Sequence, residues 1–301
     1  MDTLTPLKQY FGHSSFRGGQ EPLVNALLSN RDVLGVMPTG AGKSVCYQLP
    51  ALLLPGLTVV VSPLISLMKD QVAALNQAGV PSAFLNSSLT AAQHWDTLRQ
   101  AEHDAYKILY VAPERLLTDS FLALAQSRPI SLLAVDEAHC VSQWGQDFRP
   151  SYRSIPAFVE KLPARPVVGA FTATATAQVR EDIRRLLSLQ DPLCVTTGFD
   201  RPNLFFDVVQ TKEKDSWLAE FLSRHAGQSG IIYCSTRKTV EQVCGSLLQK
   251  GISVTRYHAG LSDEERRQNQ EDFVFDRARL MVATNAFGMG IDKSNVSFVV
   301  H

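Results

Sequence analysis

The chain has 301 residues, enough for about two domains of ~150 residues that each bury a core. Hydrophobic residues make up 45% of the chain and charged residues 19%, which excludes a disordered or fibrous protein. The formal net charge is zero, so overall charge gives no support for nucleic-acid binding, and any such role must depend on local groups.

Cysteine usage and the N-terminal residues predict the compartment. The five cysteines are odd in number and contain no C-x-x-C pair, which favours buried thiols in a reducing compartment over disulfides or a zinc site. The N-terminus lacks a basic-then-apolar signal, and no apolar run approaches ~18 residues. These features predict a soluble, cytoplasmic protein with no membrane partner.

Apolar, β-rich runs alternate with stretches of helical spacing along almost the whole chain. The predicted strands are Val33–Met37, Leu57–Ser62, Ser82–Leu85, Lys107–Val111, Leu132–Val135, Val167–Phe171, Cys194–Thr197, Leu204–Val209, Gly230–Cys234, Ser253–Tyr257, Leu280–Ala283 and Val296–Val300. The predicted helices include Ser66–Ala78, Ala175–Leu187, Ser216–Arg224, Thr236–Gln249 and Asp263–Phe273. This alternation predicts an α/β fold with mostly parallel sheets and helices on both faces. Gly198 and Pro202 mark a boundary near 199–203, which divides the chain into domains 1–199 and 200–301.

A glycine-rich segment, Gly35-Val-Met-Pro-Thr39-Gly40-Ala-Gly42-Lys43-Ser44, joins the first predicted strand to a helix that opens near Gly42. Small residues allow backbone N–H groups to converge on phosphate oxygens at the N-terminus of a helix. Lys43 supplies a cation for the β- and γ-phosphates, and Ser44 places a hydroxyl on Mg²⁺. Met37 stands where the general pattern has its first glycine. The alternative is a tight strand–helix turn that binds no ligand.

Two carboxylates, Asp136 and Glu137, follow the predicted strand Leu132–Val135. Asp136 at the carboxyl end of that strand can hold the same Mg²⁺, and Glu137 can polarise an attacking water. Taken alone, the pair suggests a solvated strand end. Taken together with the phosphate loop, it predicts an NTP hydrolase.

Hydroxyl, glycine and basic residues follow several other predicted strands. In open α/β sheets the functional residues lie at the carboxyl ends of strands. Each of these sequences taken singly is typical of a capped turn. Taken together they predict a groove that tracks a nucleic-acid strand and grips its phosphates. The sequences are Ser62-Pro-Leu, Ala-Pro-Glu-Arg115, Thr172-Ala-Thr174, Thr236-Arg237 and the run from Thr284 through Gly288 to Asp292.

An aromatic segment, His139-Cys-Val-Ser-Gln-Trp144-Gly-Gln-Asp-Phe148-Arg149-Pro, issues directly from the acidic pair. Trp144 and Phe148 flank a glycine, so a regular helix is not expected there. Exposed aromatic rings beside Arg149 suit base stacking and phosphate contact. The alternative is that Trp144 or Phe148 fills a local core.

Together these motifs resemble the RecQ family of superfamily-2 DNA helicases, and the resemblance covers nearly the whole chain. It implies two RecA-like lobes and adds an adenine-reading element, Phe11-Gly-His13-x-x-Phe16-Arg17-x-Gly-Gln20. In that element the family stacks the residue at the His13 position on adenine and uses those at Arg17 and Gln20 to hydrogen-bond the base.

The resemblance also implies roles for the other motif residues. Asp136-Glu-Ala-His139 is the metal and water motif, with Lys43, Asp136, Glu137 and His139 as the catalytic set. The nucleotide-binding set is His13, Arg17, Gln20, Thr39, Gly40, Gly42, Lys43, Ser44, Gly288 and Asp292, and Mg²⁺ binds at Ser44 and Asp136. The DNA-contact and coupling set is Ser62, Arg115, Trp144, Phe148, Arg149, Thr236 and Thr284.

The activity implied is that of an ATP- and Mg²⁺-dependent 3′-to-5′ DNA helicase of repair and recombination, acting on single-stranded and partly duplex DNA. ATP is expected to close a cleft between the lobes, and a bacterial, nucleoid-associated location is expected. Two rivals remain: an RNA helicase of the same superfamily and a nucleotide-gated binding module that does not hydrolyse.

Two departures from the family pattern modify these expectations. Gln146 stands where many members have His, which bears on coupling. The chain stops at His301, before a motif with a Gln and two Arg residues, one of them an arginine finger, and before a cysteine-rich zinc subdomain. We therefore expect an incomplete second lobe, no zinc in this chain, and weak hydrolysis, since an arginine finger is worth ~10³–10⁵ in turnover.

Overall fold

The computed structural model describes residues 2–198, 203–285, 287 and 293–301. The chain divides into two compact units, residues 1–201 and 202–301. The boundary predicted near 199–203 falls largely on residues 199–202, which lie outside the described residues. In the described residues no helix is both long and apolar enough to cross a membrane.

The first unit is built on a sheet of seven parallel strands in the order β3-β4-β2-β5-β6-β1-β7. Its strands are β1 Val33–Val36, β2 Leu57–Val61, β3 Ser82–Leu85, β4 Ile108–Val111, β5 Ile130–Val135, β6 Val167–Thr172 and β7 Leu193–Thr196. The central strands are buried along their whole length, which explains why they are near-continuous runs of Val, Leu and Ile.

Helices cover both faces of this sheet. They are α1 Leu4–Phe11, α2 Gln20–Leu28, α3 Lys43–Leu53, α4 Ile65–Gln77, α5 Ala91–Glu102, α6 Asp119–Ser127, α7 Ile155–Glu160 and α8 Ala177–Leu186. Successive strand residues point to opposite faces. Thus Val59 and Val61 join the core under α5 to α8, whereas Val60 joins the core under α2 to α4.

The second unit has a smaller sheet of four parallel strands in the order β11-β8-β10-β9. Its elements are α9 Lys214–Arg224, β8 Ser229–Tyr233, α10 Arg237–Gln249, β9 Val254–Tyr257, α11 Asp263–Val274, β10 Leu280–Ala283 and β11 Val296–Val300. Leu280 and Val282 pack with residues of α9 and α10, and Met281 and Ala283 pack with Phe273 of α11. The prediction of two α/β lobes with parallel sheets, the second of them smaller, is confirmed.

The strand predicted at Leu204–Val209 is wrong. Described residues 203–210 form no helix or strand, and Phe205 is 90% exposed. The apolar pattern predicted a buried strand, but a strand also needs a neighbour to satisfy its N–H and C=O groups. The described edges of the four-stranded sheet are β11 and β9, and neither pairs with this segment.

Candidate active site

The phosphate loop lies between β1 and α3 and ends at Gly42, the residue before the helix begins. Gly40 and Gly42 have φ of 82° and 78°, in the left-handed region that only glycine adopts without cost. The first backbone N–H groups of α3 have no partner within the helix and so form an anion site. The structure therefore places Thr39, Gly40, Gly42, Lys43 and Ser44 around one helix N-terminus.

Lys43 is the first residue of α3, and its ammonium donates to the backbone carbonyl of Met37 at 3.3 Å. Met37 is the position at which the sequence departs from the general glycine pattern. Its side chain is fully buried in the core, and its carbonyl accepts the Lys43 proton. The ammonium is thus held over the loop, where phosphates are expected.

The adenine-reading element contacts the phosphate loop directly. The buried Gln20 amide donates to the carbonyls of Ala41 and Gly42 at 3.1 and 3.0 Å, and its oxygen accepts the Arg17 N–H at 2.8 Å. The Arg17 guanidinium donates to the Gly40 carbonyl at 2.7 Å. Two of the predicted base readers therefore also brace the loop, a contact that sequence reasoning missed. His13 lies partly exposed, just beyond the end of α1.

Asp136 and Glu137 lie directly after β5. The Asp136 backbone N–H bonds the Val61 carbonyl of β2, and the Asp136 carboxylate accepts the N–H of Glu137 at 3.0 Å. Glu137 has φ 46° and ψ 47°, a left-handed conformation that is uncommon for a residue with a side chain. Backbone strain of this kind concentrates at functional sites, and here it sets the direction of the Glu137 side chain.

Burial raises the pKa of the Asp136 carboxyl above its ordinary value, and the neighbouring charge of Glu137 raises it further. Lys43 and His139 act in the opposite direction. A buried carboxylate is costly unless a cation pairs with it. A positive ion bound here would therefore stabilise the ionised form of Asp136.

The residues present fit Mg²⁺. Mg²⁺ prefers hard oxygen ligands and binds through one or two carboxylates plus phosphates. Ser44 and Asp136 supply a hydroxyl and a carboxylate. The fully buried Tyr47, one turn along α3 from Ser44, has a hydroxyl without a hydrogen-bond partner among the described residues. Burial raises the pKa of that hydroxyl well above its ordinary value, and the neighbouring Tyr110 and Asp136 act in the same direction. Tyr47 was missed by sequence reasoning, because a Tyr in a helix is ordinarily a core residue.

His139 connects the acidic pair to the next strand of the sheet. Its Nδ1 lies 2.8 Å from the Thr172 hydroxyl and 3.3 Å from a Glu137 carboxylate oxygen. The Thr172 hydroxyl donates its proton to the Thr174 carbonyl, so His139 Nδ1 is the donor towards Thr172. Thr172 is fully buried, and its hydroxyl therefore faces His139 and not a phosphate.

The aromatic segment is an irregular loop, as expected. Trp144 is 75% exposed, which excludes the alternative that it fills a local core. Phe148 is half-buried, with the Arg153 guanidinium 5.1 Å from its ring centroid. An exposed indole is available for base stacking.

Arg149 ties the far end of this loop to the turn after β2. Its guanidinium pairs with Asp147 at 2.9 Å and donates to the Pro63 carbonyl at 2.8 Å. The expectation of a free phosphate-binding Arg149 is therefore modified, because these donors already bind groups of the protein.

Ser62 and Arg115 lie at the same edge of the sheet, after the neighbouring strands β2 and β4. Ser62 is buried and its hydroxyl has no partner in the described part of the chain. Direct contact of that hydroxyl with DNA is thus blocked by burial, whereas Pro63 and Leu64 in the turn that follows are partly exposed. Arg115 ends a short 3₁₀ helix, Pro113–Arg115, and is partly exposed.

In the second unit, Thr236 and Thr284 follow the adjacent strands β8 and β10. Thr236 caps α10 by accepting the Thr239 N–H at 3.1 Å.

Sequence reasoning missed the buried His258, which bonds Glu241 at 2.8 Å and accepts the Gly260 N–H at 3.1 Å. Gly288 and Asp292 lie outside the described residues.

Comparison with known proteins agrees with this geometry. The family described as DEAD/DEAH box helicase matches residues 17–183, and the helicase conserved C-terminal domain matches residues 213–301. ATP-dependent DNA helicase RecQ of Bacillus subtilis is 46% identical over 296 residues, covering 98% of this chain and 50% of that protein. The protein of the same name from Pasteurella multocida is 47% identical over 298 residues, covering 99% and 47%.

This chain thus spans about half the length of the curated relatives it matches. Among solved structures, Saccharomyces cerevisiae Dbp5 bound to RNA and ADP BeF3 has a TM-score of 0.75 at 20% identity, covering 99% of this chain and 78% of that one. That likeness shows the fold. The DEAD/DEAH box helicase match covers more than half of the chain and, together with the identity to the two bacterial proteins, it shows the family: the chain belongs to the RecQ helicases of superfamily 2.

Proposed function

We propose that this protein is an ATP- and Mg²⁺-dependent DNA helicase and translocase that moves 3′ to 5′ and acts in DNA repair and recombination. One observation carries the proposal. The ends of three consecutive strands, β5, β6 and β1, bring together the acidic pair, Thr172 and the phosphate loop. The relatives are named as DNA helicases, which supports DNA as the substrate. The polarity and the cellular role follow the family resemblance.

The nucleotide is bound by residues of the first unit. His13 stacks on adenine, and Arg17 and Gln20 bond the base, for which one of the two Gln20 amide hydrogens must leave its loop carbonyl. Lys43 binds the phosphates together with the N–H groups of α3. When bound, Mg²⁺ neutralises phosphate charge, held by Ser44 and Asp136. Gly288 and Asp292 are further proposed nucleotide contacts, which the family resemblance implies.

The water is handled by Glu137. Its carboxylate orients the water and accepts the proton, because a carboxylate within hydrogen-bond reach of a water can act as its general base. His139 Nδ1, which donates to Thr172, also lies 3.3 Å from the carboxylate, and the imidazole so limits where the carboxylate can turn. Thr172 in turn fixes His139, and both side chains are buried.

The DNA contacts are proposed at the strand ends of each unit. Arg115, Thr236, Thr284 and the turn after Ser62 contact the phosphates, and Trp144 with Phe148 stacks on bases. Stacking on one aromatic side chain is worth ~1–3 kcal/mol, enough to shift a loop between two arrangements. We propose a bacterial cytoplasmic location on the nucleoid, supported by the two bacterial relatives and by DNA as substrate.

The test is ATP hydrolysis by the 301-residue chain and by a chain extended to the length of its relatives, with no nucleic acid, single-stranded DNA or RNA. A DNA helicase is stimulated by DNA and unwinds a duplex with a 3′ tail but not one with a 5′ tail. Preferential stimulation by RNA would support the RNA helicase. Nucleotide-dependent DNA binding without hydrolysis by either chain would support the binding module. The Glu137→Gln variant is the matched control for contaminating ATPase.

A further inference from the structure

A buried carboxylate outside the predicted site holds the aromatic loop. Asp182 lies on α8, a helix whose other charged residues face solvent, yet it is only 6% exposed. It accepts the Ser142 hydroxyl proton at 2.7 Å. Two partners on its own helix, Arg185 at 3.1 Å and Gln178 at 3.5 Å, contact its other oxygen.

The bond from Ser142 determines how the aromatic loop begins. Ser142 is fully buried, and its oxygen accepts the backbone N–H of Trp144 at 3.1 Å. A carboxylate can only accept, so the single proton of Ser142 is committed to Asp182 and its lone pairs face Trp144. Asp182 thereby acts on the stacking residue through one intermediate side chain.

The start of the loop is also tightly folded against the acidic motif. A Cβ placed on Gly145 would lie 2.2 Å from the His139 carbonyl oxygen, so the chain passes over His139 with no room for a side chain. The Gly145 N–H bonds the Ser142 carbonyl at 3.0 Å, and the Arg149 N–H bonds the Cys140 carbonyl at 2.9 Å. In a loop closed in this way, a displacement of Trp144 also moves the first residues of the loop, next to His139.

We infer that Asp182 is a positioning residue for coupling: through Ser142 it fixes the backbone at Trp144, so that a base stacked on the indole moves the segment attached to His139. This inference rests on the proposed coupling role of Trp144. A purely structural Asp182 would instead stabilise α8 through Arg185 and Gln178, without affecting the loop.

Fluorescence of Trp144 tests the inference without requiring turnover. Trp95→Phe and Trp217→Phe leave Trp144 as the single tryptophan, since the chain has three. In that background we expect Asp182→Asn and Ser142→Ala each to lower the anisotropy of Trp144 and to increase its quenching by acrylamide. Arg185→Ala is the matched control. It removes a partner of the same carboxylate, its side chain is 69% exposed, and we expect parent-like values.

Hydrolysis by the extended chain provides the functional readout. Asp182→Asn and Ser142→Ala should reduce the ratio of DNA-stimulated to DNA-free ATPase by roughly tenfold, because one hydrogen bond to a charged group is worth about a decade in an equilibrium constant. Parent-like anisotropy and ratio in both variants would overturn the inference. So would a lower melting temperature with both rates reduced together.

The proposed coupling role of Trp144 is tested separately from the role of Asp182. If Trp144→Ala keeps the parent stimulation ratio, the coupling role of the loop is wrong, whatever Asp182 does. If Trp144→Ala loses stimulation whereas the Asp182 and Ser142 variants keep it, the coupling role stands and the anchoring role is wrong.

Discussion

His139 Nδ1 and the Thr172 hydroxyl lie 2.8 Å apart, and both side chains are buried. This one hydrogen bond joins the end of β5, which carries the acidic pair, to the end of β6. Glu137 contacts the same imidazole nitrogen at 3.3 Å. The position of the Glu137 carboxylate, the proposed general base, therefore depends on Thr172 of the neighbouring strand β6.

The Thr172→Val variant tests this dependence. Valine matches the shape of threonine but removes the hydroxyl, which leaves His139 with Glu137 as its remaining partner at Nδ1. We expect a roughly tenfold lower rate of ATP hydrolysis at saturating nucleotide and a loss of about 1 kcal/mol in the free energy of unfolding. Thr174→Val, at an exposed neighbouring position, is the control. Equal rates in Thr172→Val and the parent would contradict the role of this bond.

Gln20 provides a prediction about nucleotide binding. Its two amide hydrogens bond two carbonyls of the phosphate loop. An amide has the donor and the acceptor that adenine requires, so base reading needs one of these loop bonds to be released. Gln20→Ala should weaken ATP binding by about tenfold, and Gln20→Glu should weaken it more, because a carboxylate would face two carbonyl oxygens. The parent should prefer ATP over GTP. Inorganic tripolyphosphate separates the two roles: weaker binding in Gln20→Ala indicates loop bracing, and unchanged binding indicates base reading alone.

Glu137 and Lys43 are expected to differ in what they control. Glu137→Gln keeps a side chain that can orient water but cannot accept its proton, so Mg-ATP binding should persist while hydrolysis falls by about 10²–10⁴. Lys43→Ala should lose nucleotide binding as well. Calorimetric titration with ATP alongside single-turnover hydrolysis measures both quantities. Hydrolysis by Glu137→Gln at the parent rate would show that another group is the base.

Asp136 illustrates a conflict between stability and function. Since burial raises its pKa, the folded, metal-free chain holds the proton more tightly than the unfolded chain does. The free energy of unfolding should therefore fall as the pH rises through the window between the ordinary Asp pKa and the raised one. Asp136→Asn removes this charge and should raise the free energy of unfolding at neutral pH by about 1–3 kcal/mol. The same variant should lose the stabilisation that Mg-ATP gives to the parent, which thermal melting with and without Mg-ATP would reveal.

Trp144 is expected to act on stimulation by DNA. Trp144→Ala removes an exposed ring, so the melting temperature should change little, and the ratio of DNA-stimulated to DNA-free hydrolysis should fall several-fold. Trp95→Ala, another exposed tryptophan in the same unit, is the control for loss of surface indole. A large drop in melting temperature would favour a structural role for Trp144 after all.

The local motifs were readable from the sequence because each consists of consecutive residues. The phosphate loop needs left-handed glycines before a helix that begins with Lys43-Ser44. This pattern lies within one short segment, so it can be recognised without knowledge of the fold. The strand–helix alternation likewise depends on spacing within single elements, which is why most predicted strands and helices differ from the structure by only a few residues at their ends.

Contacts between distant parts of the chain were decided only by the tertiary structure. Local pattern made residues 204–209 a strand, but no described strand pairs with them, and pairing is a property of two segments. The bonds from Gln20 to the phosphate loop, from His139 to Thr172 and from Ser142 to Asp182 join residues on different elements. The Gln20 bonds exist because α2 packs beside the loop that opens α3. The other two exist because β5 and β6 lie side by side in the sheet, a pairing that results from packing helices on both faces and that no local pattern encodes.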